Sequence, residues 1–242
     1  PGPLLDYSLM KLIKRVKEMQ GLAKEAQRAG KSIGLVPTMG ALHKGHLSLV
    51  EAAKKKAEVV VVSIFVNPTQ FGLHEDLSRY PKSLSLDKKL LNNFEVDALF
   101  LPDALEMYPP EYKTYVEVQG LSDIMCGRFR PHHFRGVTSI VAKLFNIVSP
   151  HFAFFGEKDF QQQVIIKSMA KDLNFPIEII TLPTVREFDG LAMSSRNRYL
   201  KEKERKAALI LYQTLLLGKS LIKEGEKNAN KILQRMRAKI KS

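Results

Sequence analysis

Along this chain, short runs of wholly apolar or β-branched residues alternate with stretches in which apolar positions recur every three or four residues. The runs are IGLV (33–36), VVVVSIFV (59–66), ALFL (98–101), FAFF (152–155) and IEIITL (177–182). Between them the periodicity predicts helices over 47–57, 83–93, 138–148 and 160–173. Strands apolar on both faces and separated by helices predict a parallel sheet covered on both sides, hence a doubly wound α/β domain. After Tyr199 the pattern turns helical and stays so, which predicts a change of unit: residues 1–188 as the α/β domain and 189–242 as a small, mostly helical C-terminal domain. The sequence stops at Ser242 in a helical pattern, and two helices make a thin domain, so this second domain is expected to be incomplete.

Composition narrows the class. A chain of 242 residues suits one or two domains, and 45% hydrophobic with 26% charged residues excludes a disordered chain. No apolar run approaches the ~20 residues of a membrane span, and no basic-then-apolar leader opens the sequence. Cys126 stands alone, so no internal disulfide forms, which suits a reducing cytoplasm. The opening PGPLLDYS reads as an added segment ahead of Met10. The net charge of +13 points toward nucleic acid until it is located. Residues 201–242 carry 12 Lys/Arg against 4 Glu and residues 11–31 carry 7 against 2, while the remainder is neutral. Both basic segments have helical periodicity and few aromatics, so they read as solvated helix faces and no nucleic-acid partner is expected.

PTMGALHKGH (37–46) lies where the first apolar run gives way to a helix. A strand, a glycine-containing turn and a helix aim backbone N–H groups and a positive helix end at an anion. Gly40 and Gly45 let the backbone approach a ligand. His43 and His46, at i and i+3, can face one side of the first turn. There imidazoles can donate to phosphate oxygens and carry partial positive charge as phosphate charge builds up. This points to a nucleoside triphosphate attacked at its α-phosphorus. Two alternatives stay open: loop histidines beside a tight turn, and a zinc pair, which would need a third or fourth ligand.

Other segments carry similar chemistry. The strand end SIFV delivers Asn67, Pro68 and Gln70 to the carboxyl edge of the sheet, where ligands bind in open α/β folds; the alternative is that Gln70 caps a turn after Pro68. FGEKDFQQ (155–162) repeats the strand–loop–helix arrangement. Lys158 offers a point charge for phosphate and Asp159 an acceptor for ribose hydroxyls, or the two form a surface pair with Asp159 as a helix cap. MSSR (193–196) supplies two hydroxyls, backbone amides and Arg196, or is only a polar turn.

Taken together, PTMGALHKGH, SIFVNPTQF (63–71), RPHHFRGV (130–137), FGEKDFQQ and DGLAMSSRN (189–197) resemble the pantoate–β-alanine ligase family. The HxGH element resembles, more broadly, the nucleotidylyl-transferase superfamily that includes class I aminoacyl-tRNA synthetases. The resemblance implies a Rossmann-like catalytic domain, a smaller C-terminal domain, a homodimer in the cytoplasm away from membranes, and ATP, pantoate and β-alanine as substrates, with Mg²⁺ accompanying ATP. It implies a pantoyl adenylate formed with loss of pyrophosphate, then an amide formed with loss of AMP.

The same resemblance implies site residues. His43, His46, Lys158 and Arg196 are the catalytic set. ATP would be bound by these together with Met39, Gly40, Gly45, Gly156, Asp159, Val185, Met193, Ser194 and Ser195. Pantoate would meet Met39, Gln70 and Gln162, and β-alanine would meet Gln70, Arg130 and His133. Asp87 is the candidate protein ligand of Mg²⁺, with a surface aspartate beside Lys88 as the alternative. Two departures stand out. His132 occupies a place where the family has a small residue and reads as a solvated loop residue, and Leu73–His74 replaces a Pro-Asn turn, which puts that loop's shape in question. The family also normally extends past residue 242 with a small β-containing part. The rival readings are a nucleotidylyltransferase producing a dinucleotide and a basic nucleic-acid-binding module, the latter disfavoured by the neutral middle of the chain.

Overall fold

The computed structural model describes residues 10–241, so the opening PGPLLDYS lies outside the described residues. In chain order the first unit contains β1 (Lys11–Ile13), α1 (Val16–Arg28), β2 (Ile33–Thr38), α2 (Lys44–Lys56), β3 (Val59–Ile64), α3 (Leu84–Asn93), β4 (Ala98–Phe100), α4 (Ala104–Met107), α5 (Cys126–Phe129), α6 (His133–Val148), β5 (Phe152–Gly156), α7 (Phe160–Asp172) and β6 (Glu178–Leu182). The second contains α8 (Glu202–Lys223) and α9 (Ala229–Lys241).

All six strands pair in parallel in the order β1-β4-β3-β2-β5-β6. The strand alternation explains why the runs were apolar throughout. Ile33, Leu35, Val59, Val61, Ala98, Phe100, Ala153 and Phe155 point to one face, where α1, α6 and α7 contribute Met19, Leu144, Phe145, Ile166 and Met169. Val36, Val60, Val62, Leu99 and Phe154 point to the other, where α2 and α3 contribute Leu49, Val50 and Leu91. Each Val, Leu, Ile, Phe or Met among these, fully buried, contributes about 1.5–3 kcal/mol. Helices on both faces of a parallel sheet make the unit doubly wound. From β2 the chain runs outward through β3 to β4 and then returns to place β5 and β6 on the other side of β2. The direction of winding therefore reverses between β2 and β5, and ligands in such sheets bind beyond the carboxyl ends of the strands at that reversal.

The compact units divide at Pro183/Thr184. Arg186 and Glu187 belong with the helical unit because the Arg186 guanidinium lies 3.8 Å from the Tyr212 ring centroid and Glu187 pairs with Arg205 at 2.7 Å. Within this second unit α8 packs on α9 through Gly218, where a Cβ would approach the Met236 sulfur to 2.9 Å. Leu211, Leu215, Leu216 and Ile222 of α8 stay exposed. Among the described residues, no helix is long and apolar enough to cross a membrane.

Candidate active site

Three of the singled-out segments leave the carboxyl ends of neighbouring strands: 39–43 after β2, 65–71 after β3 and 157–159 after β5. The β2 segment ends on His43, the N-cap of α2. Its Nδ1 accepts the N–H of Gly45 at 3.1 Å, and His46 Nδ1 accepts the N–H of His43 at 3.4 Å. The two histidines thus form a reciprocal capping box in place of the usual Ser and Glu. The ring centroids are 4.0 Å apart. Because each Nδ1 accepts, each neutral ring carries its proton on Nε2. Burial, reinforced by His43 and Lys158, lowers the His46 pKa from 6.5 to about 3. His46 is therefore a neutral N–H donor in this site, with no standing charge. The zinc alternative gains no further ligand, since among the described residues no group of three or more His, Cys, Asp or Glu could hold a metal ion.

The turn before His43 is held from a distance. Gly40 and Ala41 both have positive φ, +84° and +50°. A Cβ on Gly40 would meet the Ile64 side chain at 3.0 Å. Asp87 of α3 clamps this turn: its two oxygens accept the N–H groups of Ala41 and Leu42 at 2.9 and 2.8 Å, and Oδ1 also accepts the Ser83 hydroxyl at 3.1 Å. This corrects the surface alternative: at 1% exposure Asp87 is no surface residue, and its carboxylate shapes the turn. Met39, Gly40 and Asp87 also line a mainly apolar cavity of about 320 Å³ with Ile64, Phe65 and Leu101.

After β3, Asn67 is 1% exposed and uses its whole amide. Its Nδ2 donates to Gln70 Oε1 and to the Gly136 carbonyl, both at 3.1 Å, while Oδ1 accepts from Tyr108 at 2.8 Å and from the Thr69 hydroxyl at 3.0 Å. Burial raises the Tyr108 pKa to about 12, so this phenol stays a donor. Asn67, not Gln70, caps the short turn Pro68–Gln70. Gln70, so positioned, donates its Nε2 to the Met39 sulfur at 3.2 Å, which joins the β2 and β3 segments.

The RPHHFRGV segment starts α6 and brings two predicted residues to Gln70. His133 shares a hydrogen bond of 2.8 Å with the Gln70 carbonyl through Nδ1, and its Nε2 lies 3.0 Å from Arg130 Nη1. A guanidinium only donates, so Nε2 accepts and the ring proton sits on Nδ1. Burial lowers the His133 pKa, keeping the ring neutral. His132 is exposed and left-handed at φ +65°, in keeping with its reading as a solvated residue. Sequence reasoning missed Glu75, which forms a two-pronged ion pair with Arg130, Nε to Oε1 at 2.7 Å and Nη2 to Oε2. It lies in FGLHED, a stretch noted only for Leu73 and His74; both are exposed, Leu73 entirely.

Lys158 and Asp159 are exposed and paired at 3.3 Å. The surface-pair alternative therefore holds geometrically, but Asp159 makes no side-chain cap to α7. Lys158 nonetheless lies near enough to help depress the His46 pKa. Gly156 closes β5 ahead of this loop, and Gln162, half-buried, follows on α7.

In the second unit the Val185 carbonyl accepts the Met193 N–H at 3.0 Å, and the Ser194 hydroxyl caps the turn Ser195–Tyr199 by accepting the N–H of Arg196 at 3.2 Å. Asn197 Nδ2 ties this turn to Glu187 at 2.8 Å and to the Ala192 carbonyl at 3.1 Å.

Comparison with known proteins points to one family. The model of the pantoate-β-alanine ligase family matches residues 11–242. Pantothenate synthetases of Moorella thermoacetica and Thermodesulfovibrio yellowstonii are 54% and 57% identical, over 96% and 90% of this chain and 82% and 78% of their own lengths. A crystal structure of the Thermus thermophilus enzyme superposes with a TM-score of 0.91 at 44% identity, covering 96% of this chain and 82% of that one. One of the Francisella tularensis ligase, complexed with β-γ ATP and β-alanine, gives 0.82 at 35% identity over 95% and 86%. An HxGH helix cap at the winding reversal of a parallel sheet, with matches of this extent, establishes that the chain belongs to the pantoate–β-alanine ligase family.

Proposed function

We propose that the residues assembled above carry out the reaction of this family, ATP-dependent condensation of pantoate with β-alanine. The pantoate carboxylate attacks the α-phosphorus of ATP, the bond to pyrophosphate breaks, and pantoyl adenylate forms. The β-alanine amine then attacks the activated carbonyl, an amide forms, and AMP leaves. Both steps need alignment and relief of negative charge more than bond-making by the protein.

The observation that carries the assignment is the histidine capping box at the start of α2. His43 and His46 would donate from Nε2 to the phosphate as charge grows on it, the backbone N–H that each Nδ1 accepts leaving Nε2 as the donor. Met39, Gly40 and Gly45 would let the nucleotide approach the backbone. Gly156, Lys158 and Asp159 would hold the phosphates and ribose. From the second unit we assign ATP binding to Val185, Met193, Ser194 and Ser195, and phosphate neutralisation to Arg196. Met39, Gln70 and Gln162 would hold pantoate. Gln70, Arg130 and His133 would hold β-alanine. Mg²⁺ enters as part of the nucleotide substrate, bound mostly by phosphate oxygens and water. We further propose a homodimer working in the cytoplasm.

A single-turnover experiment with reagents added in sequence tests this. ATP with pantoate should release pyrophosphate, and AMP should appear only after β-alanine is added. Pyrophosphate exchange supported by another acid and absent with pantoate would overturn the assignment.

A further inference from the structure

Arg130 is engaged at all three of its nitrogens. Glu75 takes the Nε–Nη2 edge with both carboxylate oxygens, His133 meets Nη1, and the Gln70 carbonyl lies 3.5 Å from Nη2. The ion pair is about three-quarters buried on each side, with 28% and 26% exposure. Its effect is seen in the lowered pKa of Glu75, caused first by the hydrogen bond from Arg130. Glu75 is itself held in a tight turn, its N–H donating to the Gly72 carbonyl at 3.1 Å.

We infer that Glu75 is the positioning residue of the β-alanine carboxylate site. The inference rests on the reading that Arg130, held by His133, receives that carboxylate. A guanidinium offers two edges to carboxylates, side-on through Nε and Nη2 and end-on through Nη1 and Nη2. Glu75 fills the side-on edge with fork geometry, and Nη1 and Nη2 each carry a second N–H beyond those given to His133 and Glu75, so the end-on edge is the one left to a substrate carboxylate. An arginine side chain loses about 2 kcal/mol of rotamer freedom when it is ordered. With Glu75 in place that cost is met before β-alanine arrives; without it, substrate binding bears it. The network reaches Gln70 only through its backbone carbonyl and leaves the Gln70 side chain to Asn67 and Met39, so Glu75 acts mainly on the second step.

The test is Glu75→Gln, with Glu75→Asp and Arg130→Met beside it. A glutamine accepts one N–H and turns its own NH₂ against Nη2, so the fork is lost. The KM for β-alanine should rise about tenfold, the effect of losing one charged hydrogen bond. The kcat at saturating β-alanine and the pantoate-dependent ATP–pyrophosphate exchange should match the parent. Glu75→Asp keeps the charge and should restore part of the affinity. An unchanged or lowered KM for β-alanine in Glu75→Gln would overturn the inference, a lowered one meaning that Glu75 competes with substrate. Loss of exchange together with loss of ligation in both Glu75 variants would also overturn it, because it would reveal a general structural role. Arg130→Met separates the two levels. If it leaves the β-alanine KM unchanged, the reading of the subsite fails; if it raises KM while Glu75→Gln does not, only the role of Glu75 fails.

Discussion

His46 receives the backbone N–H of His43 on Nδ1 at 3.4 Å while the two rings lie 4.0 Å apart, so one imidazole both caps the helix and is fixed in the tautomer that donates from Nε2. Replacing His46 with alanine should lower pantoate-dependent ATP–pyrophosphate exchange by about 10²–10³, the usual cost of removing one donor aimed at developing charge. Titration of His46 should add no acid limb to the adenylation rate near neutrality, because its pKa lies at about 3.

The same shift makes a stability statement. In the unfolded chain His46 binds a proton as the pH falls through 6.5, whereas in the fold it resists until about 3. The unfolded state therefore holds more protons within that window, and stability is full above it and declines as pH falls through it. In His46→Ala this contribution is gone. Denaturant unfolding of the variant at neutral and mildly acidic pH should show a shallower loss of stability than the parent; an equal or steeper loss would contradict the burial of a neutral imidazole.

Asp87→Asn should destabilise the protein by about 1–3 kcal/mol, since the amide would turn an NH₂ toward one of the two N–H groups that the carboxylate now accepts. Adenylation should fall with it, because Ala41 and Leu42 lead directly into His43. The dependence of the rate on Mg²⁺ concentration should keep its midpoint. A shifted midpoint with unchanged stability would return Asp87 to the role of a metal ligand.

That role for Asp87 shows where the sequence stopped being informative. Strands were readable because a strand buried on both faces is apolar at every position, as in VVVV (59–62). The three-residue edge strand Lys11–Ile13 was not, because Lys11 and Leu12 stay partly or largely exposed and the segment looks like the start of a basic helix. Helix α6 begins at His133, ahead of the expected 138, because the polar residues of its first turn, His133 and Arg135, interrupt the apolar pattern. The residues proposed for adenylation and for β-alanine stood out as motifs, since each motif is contiguous. Asp87 on Ala41 and Glu75 on Arg130 were not, because a clamp spanning 46 or 55 residues leaves no spacing to detect.

Gly136 lies in the first turn of α6, and the reason for a glycine there is contact. A Cβ there would fall 2.4 Å from the Thr69 carbonyl oxygen and 2.7 Å from Gln70 Cα, all of it backbone. Gly136→Ala should push the Asn67–Gln70 turn away from α6, weaken binding of both pantoate and β-alanine, and cost about 1–3 kcal/mol as an overpacked contact does. Gly21→Ala is the control. It lies inside α1 with nothing within 4 Å of the added Cβ, so it should stabilise by up to about 1 kcal/mol through helix propensity and leave the kinetics alone. Equal effects of the two substitutions on unfolding would remove the argument from contact.

Arg205 stands in the first turn of α8, where a cation is disfavoured by the positive end of the helix. It is held there by two carboxylates, Glu187 and Asp189, each at 2.7 Å. Glu187 accepts in turn from Asn197, which fixes the Ser195–Tyr199 turn, and the pairing with Arg205 keeps its pKa below the usual carboxylate range. Arg205→Met should release that turn within the second unit, and with it Ser194 and Arg196. The expected result is a several-fold rise in KM for ATP with little change in KM for β-alanine. An increase confined to β-alanine would mean that the MSSR segment does not serve the nucleotide, and the phosphate-binding assignment of Arg196 would fall with it.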